Sequence, residues 1–187
     1  MNSDKKIVDI ENIRLEYSAL KESNSKTIGR RDQILGLALT LASGLFAAAI
    51  AHPTIPSIAL IYPPIAMFLS IEWSYAYILN ILMASYIREH IAIQLPEIGW
   101  EFHLKKWRDQ HQGRFRIFAL HSGVFISSQL IAMVIGLTIT PAGQSFELYS
   151  YRVLPLLIID CLCIIVTVVF FIKSSLDKDI IEVCENR

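Results

Sequence analysis

Four nearly uninterrupted apolar stretches, roughly 34–51, 57–76, 117–139 and 153–172, constrain this chain more than any other feature. Each is close to the ~20 residues that an α-helix, rising 1.5 Å per residue, needs to cross ~30 Å of hydrocarbon. A core helix of a soluble bundle keeps a polar face on every turn. The first stretch, "ILGLALTLASGLFAAAIA", keeps none, and it follows 33 mostly polar residues, so it is not an amino-terminal secretory signal. Only 18% of the chain is charged, against about 25% in soluble domains. The expected fold is all-α: an integral membrane four-helix bundle with cytoplasmic helical extensions.

Basic residues orient the bundle, because loops rich in Lys and Arg stay on the cytoplasmic side. Seven precede the first stretch (Lys5, Lys6, Arg14, Lys21, Lys26, Arg30 and Arg31), six lie between the second and third, and three (Lys173, Lys178 and Arg187) follow the fourth. Arg152 alone falls in the other two connections. Both termini and the central connection are expected in the cytoplasm of a bacterial inner membrane. The segments are then 1–33, a cytoplasmic amino-terminal helix; 34–76, a first transmembrane hairpin; 77–116, a stalk and interfacial helix; 117–173, a second hairpin; and 174–187, a cytoplasmic tail.

The amino-terminal helix carries Ile10, Ile13, Tyr17 and Leu20 at 3-4-3 spacing, suited to packing on its own protomer or on a partner. "SNSKTIGRRD" interrupts or merely thins this helix before the first span. Between Ile78 and Leu95 there is no glycine or proline. Span two should therefore run ~25 Å into the cytoplasm, end at Pro96, and present an apolar stripe of Leu79, Leu82, Met83, Tyr86 and Ile87, continued by Ile91 and Leu95. That stripe needs either the amino-terminal helix or an equivalent stalk of a homo-oligomer. After Pro96, "GWEFHLKKWRDQHQGRFR" places Trp100, Leu104, Trp107 and His111 on one face among Lys105, Lys106 and Arg108, the pattern of a helix in anionic lipid headgroups. Interleaved aromatic and basic residues also suit single-stranded nucleic acid, but a span beginning at Ile117 favours lipid, and no nucleic-acid partner is expected.

Depth counting pairs the polar residues inside the spans. Glu72 lies roughly 22 Å from the outer boundary and His121 roughly 6 Å from the inner one, so the two are level. Two readings stand open: an intramembrane pair, or Glu72 reaching water with His121 as a packing residue. Trp73, Tyr75 and Tyr77 then resemble the inner aromatic belt. Asp160 and Gln129 both lie roughly 11–12 Å below the outer surface. An interhelical bond returns less than a buried Asp costs, so Asp160 is either functional or a protonated group that ties helices together. Gly36, Thr40, Gly44 and Ala48 form a small-residue row that allows close helix packing. Pro63 and Pro64 should distort the outer half of span two and free carbonyls.

No phosphate-binding glycine loop, HExxH spacing or nucleophile elbow occurs. Cys161 and Cys163 point apart on one helix and, with Cys184, read as free thiols. No enzymatic activity, metal or cofactor is expected.

The strings "LEYSALKESNSKTIGRRDQILGLALT", "LIYPPIAMFLSIEW", "YIREHI" and "GWE", spanning 15–101, resemble a family of small four-span bacterial membrane proteins without assigned activity. More distantly, a cytoplasmic helix joined to a transmembrane hairpin is similar in architecture to SLATT-type and other anti-phage membrane effectors. The resemblance implies an oligomeric sensor or effector that alters permeability or binds a cytosolic partner. Two other readings remain: a small transporter coupled to protons or another ion through Asp160 and Gln129, and a non-conducting scaffold for a soluble partner.

Overall fold

The computed structural model describes residues 2–52, 56–95, 113–138 and 146–185, and they are helical except for short turns. Helix α1 runs unbroken from Asn2–Ala51. At 1.5 Å per residue its 50 residues extend about 75 Å, far more than a bilayer requires. A 3-10 turn at Pro56–Ile61 leads into α2, Tyr62–Tyr86, which continues through a π-helical turn at Ile87–Ile91. Helices α3, Gly113–Thr138, and α4, Phe146–Glu185, complete the described residues.

The segment "SNSKTIGRRD" does not break α1. Its Ser, Asn, Thr and Gly residues are weak helix formers, each costing up to ~1 kcal/mol relative to Ala. Local bonds offset part of that: Lys26 pairs with Glu22 one turn earlier at 2.8 Å, and Thr27 Oγ1 donates to the Ser23 carbonyl at 3.0 Å. Packing on α2 carries the helix across the remainder.

The prolines of span two distort its outer half as expected, and they do so from the helix start. Pro63 and Pro64 occupy the first turn of α2, where a missing N–H costs least, and start the α-helix instead of kinking it. The distortion lies before them, in the 3-10 turn. The helical part of span two ends at Ile91 and passes into a turn, in which Leu95 still bonds to the Ile91 carbonyl at 3.1 Å; the expected end at Pro96 lies outside the described residues.

Helix α2 packs on each of the other three helices. The core mixes polar with apolar side chains, and the outer surface of the bundle is apolar: Ser70, Ser128, Gln129, Asp160 and Thr167 are buried, while Leu39, Phe68, Leu130, Ile158 and Ile165 face outward. A protein surrounded by water would bury the second set and expose the first. All four helices contain a segment long and apolar enough to cross a membrane. The fold is thus that of an all-helical, multi-pass membrane protein.

Candidate functional site

The first candidate is the stalk. Beyond the bundle, Ile13, Tyr17 and Leu20 of α1 pack on Ile87, Ile91 and Leu95. The amino-terminal stripe is therefore covered by its own chain, apart from the more exposed Ile10. Two polar contacts fix the register. Arg30 Nη2 donates to Glu72 Oε1, and Tyr86 Oη donates to Glu16 Oε1 at 2.9 Å. Moving back from Arg30 to Glu16 on α1 advances the contact from Glu72 to Tyr86 on α2, fourteen residues on each helix (30 − 16 and 86 − 72). Fourteen residues are two heptads, the repeat that keeps one face of each helix on its partner.

The expected stalk stripe is split by this packing. Ile87 is buried and Leu79 and Met83 are half-buried, but Leu82 and Tyr86 face outward. The covered line is Ile81, Ser85, Arg88 and Ile91 with Ile87. At its end comes the π-helical turn: the Ala92 N–H reaches the Ile87 carbonyl at 2.8 Å, one residue farther than in an α-helix, which rotates residues 92–95 about the helix axis and leaves Leu95 on the covered side with Ile91.

At the end of the spans nearest the stalk, Glu72 takes Arg30 of α1 as its counter-ion, whereas depth counting compares only spans two and three. Its side chain is 42% exposed, so the carboxylate lies at the bundle's edge. His121, the partner expected from level, stacks on Trp73 with ring centroids 5.2 Å apart. Trp73 also stacks on Tyr77 at 5.5 Å, and the Arg31 guanidinium lies 5.2 Å from the Trp73 ring and 5.5 Å from that of Tyr77. Trp73 and Tyr77 therefore fill the core, and of the expected aromatic belt only Tyr75 faces outward.

Mid-bundle, a polar seam joins three helices. Gln129 Nε2 donates to Thr167 Oγ1 at 3.2 Å and reaches the Pro63 carbonyl at 3.5 Å. Thr167 Oγ1 donates to its own helix at Cys163. Ser70 Oγ approaches Thr167 at 3.5 Å, and Tyr62 Oη and Ser128 Oγ share a bond at 2.9 Å. Tyr62, Ser70 and Thr167 were not singled out from sequence. Thr167 carries a readable signal, since Val153, Asp160, Thr167 and Ser174 recur every seven residues and all four are buried.

Asp160 does not join Gln129. Contacts between α3 and α4 are antiparallel: Gln129 meets Thr167, and four residues away on each helix Phe125 meets Phe171. Continuing that register sets Asp160 level with Gly136, two turns or ~10 Å from Gln129. The equal depths counted from sequence assumed an outer end for α3 that the packing does not respect. Asp160 is 1% exposed, and neither of its carboxylate oxygens has a hydrogen-bond partner.

The small-residue row of span one is also displaced. Gly36, Thr40 and Gly44 face outward and Ala48 is half-buried, while Ile34, Ala38, Ala42 and Ala49 make the packed face. A Cβ added at Gly36 or Gly44 would meet nothing within 4 Å. The interfacial helix, with Trp100, Leu104, Lys105, Lys106, Trp107, Arg108 and His111, lies outside the described residues. Among the described residues no three His, Cys, Asp or Glu side chains converge on a metal-sized site.

No family model matches this chain, and neither does any curated protein or solved structure. The class therefore stands on the fold alone: a multi-pass helical membrane protein with a two-helix stalk and a polar seam.

Proposed function

We propose that this chain is a non-enzymatic, oligomeric protein of the bacterial inner membrane with both termini in the cytoplasm. Its stalk receives a cytosolic partner or signal, and its spans respond by changing membrane permeability. Membrane effectors of anti-phage defence work in this manner, and the architectural likeness supports the same role. The supporting observation is the continuity of α1 and α2 from stalk to span with a single heptad register. On α2 a displacement at Ile91 meets no glycine or proline before the bilayer, and on α1 it meets only Gly29, which lies within the unbroken helix. Leu15, Leu82 and Ile93 remain exposed on the stalk, apolar surface that a second copy or a partner would cover.

The test is ion flux in reconstituted vesicles. Protein with Ile87→Asp and Ile91→Asp, which separates α1 from α2 in the stalk, is compared with wild type using a potential-sensitive dye. A several-fold change in dissipation of an imposed potential is expected. Equal rates in wild type, variant and protein-free vesicles would contradict a permeability role and leave the scaffold reading.

A further inference from the structure

The sequence denies the Leu60 carbonyl any helical donor. In a 3-10 turn its donor would be the N–H of residue 63, and in an α-helix that of residue 64; both are prolines. The next N–H, of Ile65, serves Ile61, the residue that caps α2. Leu60 is 1% exposed, and Ala59 and Tyr62 beside it are equally buried. The position lies in the outer half of span two, where lipid offers no replacement donor.

The packing of α2 on α4 brings Asp160 toward this acceptor. Leu60 packs against Val153 and Leu157 of α4, and Asp160 is one turn farther inward on the same buried face. Here α2 and α4 run parallel, since Leu60 meets Leu157, Ser70 meets Thr167 and Trp73 meets Phe171. Helical carbonyls point toward the carboxyl end, so that of Leu60 points inward, to the level of Asp160. Both carboxyl oxygens of Asp160 lack a hydrogen-bond partner among the described residues, and the helix register brings them to the level of the Leu60 carbonyl, which the two prolines leave without a helical donor.

One proton resolves the arrangement, converting an acceptor of Asp160 into a donor. A metal cation would want about six oxygens around it, and the packing is too close for such a shell: a Cβ on Gly136 of α3 would already come within 2.5 Å of the Leu60 side chain. The ionisable side chains at this level are Cys163, one turn along α4, and Tyr62 of α2, whose hydroxyl is bonded to Ser128. Helix α1 brings Ala42, Leu45 and Phe46 against Tyr62, and α3 brings Ala132 and Gly136; none of these titrates.

We propose that Asp160 is a proton-binding site whose carboxylic acid form donates its O–H to the Leu60 carbonyl, fastening the proline-opened end of α2 to α4. The proton exchanges with water. The bond is present while Asp160 is protonated and is lost as pH rises, loosening the outer contact of α2, α3 and α4.

Two measurements test this on the full chain in lipid nanodiscs. In infrared difference spectra, wild type should show a carboxylic-acid carbonyl band that disappears at alkaline pH and that Asp160→Asn lacks at every pH. Absence of any band removed by that substitution overturns the proposal. In thermal unfolding, Asp160→Asn, which keeps a donor, should melt with wild type under acidic conditions and lose the pH dependence. Asp160→Leu should melt lower, and less so in a Pro64→Ala background, where Leu60 regains an N–H. An equal loss in both backgrounds overturns the assignment of Leu60 as the acceptor.

Discussion

Glu72 and Trp73 are neighbours in the chain, yet the first is ion-paired at the bundle's edge and the second is stacked within it. Their substitutions should differ accordingly. A partly exposed ion pair contributes about 0–1 kcal/mol, so Arg30→Gln is expected to change stability by less than ~1 kcal/mol. Trp73→Ala removes the ring on which Tyr77, His121 and Phe171 lean, and should cost ~3–5 kcal/mol. Thermal unfolding in detergent reads both; comparable losses would mean that the aromatic cluster is not the core of the inner half. The glycines make a second contrast. Gly136→Ala forces Leu60 out of a filled site and should cost ~1–3 kcal/mol. Gly36→Ala meets open space, so it should be neutral or stabilise by up to ~1 kcal/mol through helix propensity. A large loss at Gly36 would show that another protomer covers that face.

At the scale of elements, the stalk depends on apolar contact between α1 and α2. Ile91→Asp puts a charge against Ile13, Tyr17 and Leu20. It is expected to raise hydrogen exchange across residues 10–27 while leaving 34–51 protected. Protection unchanged over 10–27 would mean that the stalk is held by something other than this contact. Much of this level was legible in the sequence. Four spans, a stalk continuing span two and the stripe of Ile13, Tyr17 and Leu20 are all set by period and punctuation. Rotation about the helix axis was not legible. The π-helical turn re-aims residues 92–95, and a bilayer removes the polar face that normally marks the outside. For the same reason Gly36, Thr40 and Gly44 read as a packing row when Ile34, Ala38 and Ala42 hold that place. The pairing of Asp160 with Gln129 failed because depth is one coordinate only; the antiparallel register through Thr167 supplies the other.

For the whole molecule, everything rests on lipid as the surrounding solvent: a few polar side chains meet one another within an apolar core, and aliphatic ones cover the outer surface of the bundle. In the proposed topology an even number of crossings puts both ends on one side, and the basic residues assign that side to the cytoplasm. The direct measurement uses a variant whose native cysteines are replaced and which carries one new cysteine at Thr54 or at Ser23. In intact cells, a membrane-impermeant maleimide should label position 54 from outside, and label position 23 only after lysis. Labelling of position 23 in intact cells with position 54 protected, or of both alike, would contradict the account.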